Sequence, residues 1–432
     1  MPDTIFALSS GAPPAGIAVI RISGASAGPA LAAMAGTLPV PRHAHFARLV
    51  DPATGSVLDR TLVLWLPGPG TATGEDTAEL HLHGGRATIA AVESALAAMP
   101  GLRRAQPGEF TRRAFANGRI DLAEAEGLAD LLTADTELQR RTALAMASGA
   151  LSREVAHWRD RVLALSAALE AELDFSDEDD VGHGHGALPE RFGPRCAALA
   201  EEVGTWLARP RAEPLREGFR VVLAGPPNAG KSTLFNALVD QDAAITAAEP
   251  GTTRDVLTQS VGLDGVPFTF VDTAGLREEG AGEIERIGIA RARAAASAAD
   301  LVLWLGPEGQ GPVGSPLWEV AAQCDLPQAM MKQNAAHRLS ALTGEGLSAL
   351  RDALVHHARA MLPAPGQAAL NRRQHALLSD VATALDAASL ATDPLLAAED
   401  LRLARLALDR LIGRTGTEEM LDTLFGRFCI GK

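Results

Sequence analysis

The sequence predicts a multidomain α/β protein: an N-terminal α+β domain, a central helical domain, and a P-loop α/β domain inserted into that helical domain. Three observations predict it. From Asp3 to about Leu66, short apolar runs such as Gly16 to Ile22 and Thr61 to Leu66 alternate with Gly and Pro clusters, a pattern of strands and turns. From Leu122 to Phe175 the chain is rich in Ala, Leu, Glu and Arg and nearly free of Gly and Pro, and Gln367 to Phe428 returns to the same composition; both read as amphipathic helices. Between them an apolar strand, Phe219 to Ala224, runs into a glycine-rich loop and a helical stretch, Thr233 to Val239. Helix before and helix after mark one helical domain interrupted by an insert.

At 432 residues the chain is long enough for about two to four domains. The expected boundaries are 1–118 for the N-terminal domain, 119–213 for the first part of the helical domain, 214–364 for the insert, and 365–432 for the second helical part. A further helix is expected at Pro189 to Ala208, and Pro363 to Gly366 reads as a linker. The region from Leu305 to Ala329, with its Gly and Pro, shows little strand character.

Hydrophobic residues make up 47% of the chain, yet no apolar run approaches the roughly 18 to 20 residues of a membrane span. Met1 to Ser10 lacks a basic segment followed by an apolar one, which argues against a secretory signal. Cys196, Cys324 and Cys429 stand far apart, giving neither a disulfide framework nor a zinc pattern, so a cytoplasmic location without membrane contact is expected. A formal charge of −14 excludes a protein whose whole surface tracks nucleic acid. The local exception is 101–120, where Arg103, Arg104, Arg112, Arg113 and Arg119 face one acid, Glu109; it is either a solvated basic face or a binding patch. Only three of the 39 basic residues are lysines, Lys231, Lys332 and Lys432. A site needing a compact charge on a flexible stem would retain lysine against that arginine background.

Gly225-Pro226-Pro227-Asn228-Ala229-Gly230-Lys231-Ser232 fits the G-x-x-x-x-G-K-[ST] loop, directly after a strand and before a helix. Backbone N–H groups of such a loop wrap phosphates, the lysine reaches the β/γ oxygens, and the hydroxyl holds Mg2+. Asn228, Ala229, Gly230, Lys231, Ser232 and Thr233 are therefore expected at a nucleotide, with Lys231 serving catalysis. Downstream, Gly251-Thr252-Thr253-Arg254-Asp255 offers threonine hydroxyls, Thr253 for Mg2+, and the strand Phe268 to Val271 delivers Asp272-Thr273-Ala274-Gly275. A loop, a Thr-bearing segment and a strand ending in D-x-x-G, in that order, form the arrangement in which γ-phosphate and Mg2+ hold two switch segments.

With these motifs the sequence resembles the MnmE (TrmE) family of tRNA uridine-modification GTPases, over nearly its whole length. The resemblance rests on Arg21-Ile22-Ser23-Gly24, Thr73-Gly74-Glu75-Asp76 with Glu79 and His83-Gly84-Gly85, and Pro107-Gly108-Glu109-Phe110-Thr111 through Asn117-Gly118-Arg119. It extends through Asp174-Phe175 with its acidic tail, the nucleotide loops, and the terminal Cys429-Ile430-Gly431-Lys432. It implies a Ras-like GTPase insert, and an N-terminal folate-binding domain that also dimerises. It implies GTP as substrate, with Mg2+ and K+. Asn228, Thr252 and the carbonyls of Ala247 and Glu249 would hold the K+, although Ala247 stands where the family often carries a hydroxyl. Glu285, in Glu285-Arg286-Ile287-Gly288, matches the acid that orients the attacking water; Glu278, Glu279 and Glu283 compete on sequence alone. Arg21, Glu79, Arg119 (for a common lysine) and Lys432 carry over as ligands of a 5-formyl- or methylene-tetrahydrofolate, Arg21 and Glu79 having a structural ion pair as the other reading. Cys429 is either a reactive thiol or a buried apolar cysteine.

The implied function is K+-activated GTP hydrolysis that, together with a flavin-dependent MnmG-type (FAD) partner in a heterotetramer, modifies C5 of the wobble uridine, position 34, of certain tRNAs. The product is the carboxymethylaminomethyl or aminomethyl form, made with a folate one-carbon donor. A regulatory GTPase of the ribosome-assembly type and a folate-binding module with a degenerate G domain are the alternatives. His81 and His83 share a strand face without a third metal ligand, and Asp174 to Asp180 read as a solvated helix end.

The family pattern fails at the guanine loop. No N-K-x-D follows a strand; the nearest equivalent is Met331-Lys332-Gln333-Asn334, ahead of Ser340-Ala341-Leu342, which resembles the last guanine loop. Lys332, Asn334, Ser340 and Ala341 are thus the expected base contacts. The Asn334 amide would set a donor against a base donor, costing about 1 to 3 kcal/mol, roughly ten- to a hundredfold in affinity. Weaker nucleotide binding and relaxed guanine selection are expected.

Overall fold

The computed structural model describes residues 3–175, 188–239, 257–272, 297–326, 332–415, 418–426, 428 and 430–431. They divide into two units, 1–129 with 409–432, and 130–408.

The first unit is built on a six-stranded sheet, β1 (Thr4–Leu8), β2 (Ala15–Ser23), β3 (His45–Val50), β4 (Val57–Leu66), β5 (Thr77–Gly84) and β6 (Leu102–Arg104), in the order β3-β4-β5-β2-β1-β6. All pairings are antiparallel except β1 with β6. Side chains alternate across a strand. Ala18, Ile20 and Ile22 of β2 and Ala78, Leu80 and Leu82 of β5 are buried in one core with α1 (Ala27–Ala35) and α2 (Arg86–Ala97). The residues between them, Arg21 on β2 and Glu79 and His81 on β5, therefore face the other way. On that second face Ile5 and Ala7 of β1 pack with Ala105 and with Phe110 of α3 (Glu109–Ala116). The strand pattern expected for 3–66 is present, with α1 folded into it.

The stretch from Leu122 forms helices as expected, three of them: α4 (Leu122–Leu132), α5 (Glu137–Ala147) and α6 (Ala150–Phe175). Thr136 begins α5 with a capping box to Gln139, which satisfies two otherwise orphan backbone donors. Along α6, Leu151, Val155, Trp158, Val162, Leu165 and Leu169 are buried, the spacing of one helix face. Trp158 meets Trp206 of α7 (Phe192–Leu207) edge-on, with centroids 5.9 Å apart.

After α8 (Glu213–Glu217) a second six-stranded sheet follows: β7 (Phe219–Ala224), β8 (Leu257–Leu263), β9 (Val266–Asp272), β10 (Leu301–Trp304), β11 (Leu317–Ala321) and β12 (His337–Arg338), ordered β12-β11-β10-β7-β9-β8. All of its pairings are parallel except β8 with β9. Both faces of β9 are buried, as a strand covered on each side by helices requires. β11 corrects the expectation of an irregular 305–329: its residues pair in parallel with β10. Helices α9 (Lys231–Val239) and α10 (Leu347–Met361) belong to this α/β layer, and α11 (Arg372–Leu390), α12 (Pro394–Leu411) and α13 (Glu418–Phe425) complete the chain.

Candidate functional site

In an open parallel sheet, loops leaving the C-terminal strand ends beside a reversal of strand order form the ligand crevice. Here β7 lies between β9 and β10, and its C-terminal end opens directly into the Gly225–Ser232 loop. Asn228 takes a left-handed φ of 61° and Gly230 one of 87°, which turns successive N–H groups toward a common concavity. The Lys231 ammonium is buried and donates to the Pro226 carbonyl at 2.8 Å. The Ser232 hydroxyl donates to the Asp272 carboxylate at 2.6 Å. Asp272 is fully buried at the C-terminal end of β9, the neighbour of β7 in the sheet. A hydroxyl and a carboxylate brought together beside a phosphate loop are the oxygen donor set that Mg2+ takes. Thr233 follows on α9 with an exposed side chain, and Ala229 is half-buried in the loop.

The β11 end meets this loop. Gln323, at a positive φ of 61°, donates from its amide to the Asn228 carbonyl at 3.2 Å. The next residue's N–H, Cys324, donates to the Leu339 carbonyl at 3.2 Å, which fastens it to the loop carrying Ser340 and Ala341. Ser340 is buried and its hydroxyl accepts from the Thr343 N–H. Lys332 and Asn334 have different partners. The Lys332 ammonium, 1% exposed, donates to the Glu319 carboxylate at 2.6 Å and the Trp304 carbonyl at 2.7 Å. Asn334 gives its backbone and side-chain N–H groups to Glu308, which also accepts from the Gln333 N–H. Those bonds, the Gln333 N–H and the Asn334 amide first, hold the Glu308 carboxyl below its usual range. Gln323 and its neighbours are what the sequence reading missed; the signal was there only once β11 was known to be a strand.

In the first unit, Arg21 and Glu79 stand opposite each other in the β2–β5 register and form an ion pair at 2.9 Å. Glu79 also meets His81 at 3.3 Å, and the Arg21 guanidinium lies 6.0 Å from the Phe110 ring centroid. Arg119 is exposed, with its stem against Gly74. The other arginines of the basic stretch are paired: Arg103 and Arg113 with Glu109, Arg113 also with Glu75, Arg104 with Glu93, and Arg112 with Asp422. Burial would raise the Glu109 carboxyl, but Arg103, the Gln106 N–H and Arg113 outweigh it and hold it low. Glu75 in turn accepts from the Ser23 hydroxyl at 2.7 Å. Arg103 and Arg113 are thus joined through Glu109 and Glu75, while Arg104 and Arg112 form separate, more exposed pairs. His83 pairs with Asp59, and among the described residues no cluster of His, Cys, Asp or Glu could hold a metal ion. Burial pushes the Cys196 thiol up to about 11, so it is an inert core residue.

Ala247, Glu249, Thr252, Thr253, Thr273, Ala274, Gly275, Glu285, Cys429 and Lys432 lie outside the described residues, as do Met331, the other acids near Glu285 and the acidic tail from 176 onward.

A family model described as the MnmE helical domain matches residues 122–429, and one described as the N-terminus of the GTP-binding protein TrmE matches residues 4–119. The chain belongs to the MnmE family. Among curated MnmE relatives, the tRNA modification GTPase of Novosphingobium aromaticivorans is 73% identical over 437 residues, covering 100% of both chains. That of Erythrobacter litoralis is 61% identical and also covers 100% of both; that of Zymomonas mobilis is 50% identical, covering 99% of this chain and 100% of its own. Among solved structures, the G domain of the T. maritima FeoB iron transporter aligns to 32% of this chain and 98% of its own, at 24% identity and a TM-score of 0.24. Among the described residues no helix is long and apolar enough to cross a membrane.

Proposed function

We propose that the chain is a K+-activated GTP hydrolase. With a flavin-dependent MnmG-type partner, it modifies C5 of the wobble uridine of certain tRNAs, using a tetrahydrofolate one-carbon donor. The observation that carries this reading is the Ser232 hydroxyl 2.6 Å from the Asp272 carboxylate, directly beside Lys231 in a complete phosphate loop. In catalysis Lys231 would leave the Pro226 carbonyl for the β/γ oxygens, and the backbone N–H groups of 228–232 would hold the phosphates in line. Ser232 and Thr253 are read as Mg2+ ligands, and Asn228, Thr252, Ala247 and Glu249 as those of K+. The two ions supply positive charge where negative charge develops during phosphoryl transfer. Glu285 is assigned to orient the attacking water.

The N-terminal sheet face with Arg21 and Glu79 suits a ligand that has both an acidic tail and a hydrogen-bonding ring edge, as a folate has. Arg119 and Lys432 are assigned to the same ligand and Cys429 to the modification chemistry, in a cytoplasmic homodimer formed through the first domain. The boundaries 1–118, 119–213, 214–364 and 365–432 remain our division of these roles.

The test is GTP turnover by the purified protein in K+ against Na+, with and without Lys231→Ala. Turnover is expected to need K+, and loss of Lys231 is expected to cost about 10²- to 10³-fold, as loss of a single charge-stabilising donor does. No hydrolysis in either salt would leave a folate-binding module with a degenerate G domain.

A further inference from the structure

The chain enters the α/β sheet through 208–218 and leaves it through 362–371, and a cavity of about 190 Å3 lies where these two crossings meet α5. Both crossings are fastened there. The Ala212 N–H donates to the Leu370 carbonyl at 3.0 Å, and the Arg372 N–H donates to the Glu213 carboxylate at 2.6 Å. The Gln139 amide donates to the Leu215 carbonyl at 3.0 Å. Gln139, Thr142, Ala143 and Met146 line the cavity from α5, at the i, i+3, i+4, i+7 spacing of one helix face. Leu215 and Ala369 line it from the two crossings.

One wall carries a polar group with nothing to bond. Thr142 is 4% exposed, and its hydroxyl has no hydrogen-bond partner among the described residues. A buried hydroxyl left unsatisfied is costly, and a threonine within a helix commonly turns its hydroxyl back to the carbonyl one turn earlier. Here that bond is not made. The rest of the lining narrows the occupant. Ala143, Met146, Leu215 and Ala369 offer apolar surface, and the unbranched thioether of Met146 adapts to shape. On the rim, Arg216 and Asp130 pair at 2.6 Å, and Asp135 is exposed to solvent, so the charged lining residues are paired or in water. An apolar cavity of about 150 Å3 takes a benzene ring. This one has room for a ring and one short substituent.

We propose that the cavity is a binding site for a small neutral aromatic alcohol or phenol, its ring against Ala143, Met146, Leu215 and Ala369 and its hydroxyl bonded to Thr142. The occupant fills the space between α5 and the two crossings and so braces them together. It does this at the root of α8, which leads through Gly218 into β7. The site shares no residue with the phosphate loop or with the Arg21 face, so its test is independent of how either is read.

The experiment is titration of the full-length protein, its eight methionines labelled with 13C at the methyl group, with benzyl alcohol and with toluene, followed by NMR. The Met146 signal is assigned by its loss in Met146→Leu, and it is expected to shift saturably with both compounds. Thr142→Val keeps the shape of the side chain and removes the hydroxyl. It is expected to move the ratio of the two affinities about tenfold toward toluene. Ala143→Leu, which fills the space, is expected to abolish the shift with the circular dichroism spectrum unchanged; if that variant does not fold, the isosteric Thr142→Val still decides. Saturating benzyl alcohol is expected to slow hydrogen exchange at the Ala212 and Arg372 amides several-fold, as a ligand that binds only the closed form does. A Met146 signal that does not move, or moves without saturating, overturns the proposal. An affinity ratio unchanged by Thr142→Val does so too, because binding would then be apolar partition alone. Exchange at 212 and 372 that a bound ligand leaves as fast as before overturns the bracing role.

Discussion

Gly431 sits at a φ of 98°, and the place that a Cβ would take is filled by the Leu8 carbonyl. Its own carbonyl accepts from the Ser9 hydroxyl at 2.8 Å. Gly431 is thereby seated at the end of β1, the strand paired with the one that carries Arg21. An alanine there meets both a disfavoured backbone conformation and a backbone contact that cannot give way, at a cost of about 1 to 3 kcal/mol. Gly431→Ala is expected to release the terminal segment: carboxypeptidase should trim the variant several-fold faster than wild type, and tRNA modification should fall while GTP turnover stays within about twofold. Trimming at the wild-type rate would show that the seat does not depend on this glycine. Much of the chemistry at this scale was legible because it was written as scarcity. Lys231 stands out among 39 basic residues and lies in the phosphate loop. The same scarcity draws attention to Lys332, which the fold buries against Glu319. Gln323 gave no comparable signal, because a glutamine after a short apolar run has no chemistry of its own until its partner, the Asn228 carbonyl, is in view.

At the level of elements, α5 begins in the helical layer but ends up serving the α/β sheet. Leu138, in its first turn, is 6% exposed and belongs to the same apolar core as Phe219, Val266 and Phe268. Its N–H donates to the Gly265 carbonyl at the turn between β8 and β9 at 3.0 Å, and the Gln139 amide donates to the Leu215 carbonyl at 3.0 Å. The hairpin β8–β9 joins the Thr252–Thr253 segment to Asp272, so its outer turn is held by a helix of the surrounding layer. Leu138→Ala is expected to cost about 2 to 5 kcal/mol, the range for a large-to-small change in a packed core, seen as a lower urea midpoint at unchanged slope. A loss under about 0.5 kcal/mol, the size of an ordinary surface substitution, would mean that α5 rests on the sheet without helping to build it. Elements with a strong local period were legible: the helices between Leu122 and Phe175 and the strand, loop and helix around Lys231 lie where the pattern puts them. β11 was not. Leu317 to Ala321 is preceded by Gly311, Pro312, Gly314 and Pro316, and its strand character comes from pairing with β10, a tertiary cause that no window of sequence contains.

Taken whole, the chain leaves its first unit at Asp130 and returns to it at Asp409. Each unit has an apolar core of its own, around Ile20, Ile22 and Leu80 in the first and Val221, Leu223 and Phe268 in the second. The phosphate loop and Asp272 are in the second unit, whereas Arg21, Glu79 and Arg119 are in the first. A ligand stabilises what it binds by RT ln(1 + [L]/Kd), about 2.7 kcal/mol at a hundredfold excess over Kd. Two cores with separate ligands should therefore respond separately in calorimetry. GDP with Mg2+ is expected to raise the transition of the second unit and leave the other in place, and a tetrahydrofolate is expected to do the reverse. Fluorescence identifies the transitions, because Trp65 is the first unit's single tryptophan and Trp158, Trp206, Trp304 and Trp318 belong to the second. The nucleotide shift should vanish in Lys231→Ala with the folate shift intact. If GDP instead moves both transitions by the same amount, the two units unfold as one, and nucleotide state is then linked energetically to the Arg21 face through the two crossings of the chain, so that Lys231→Ala should also change folate affinity.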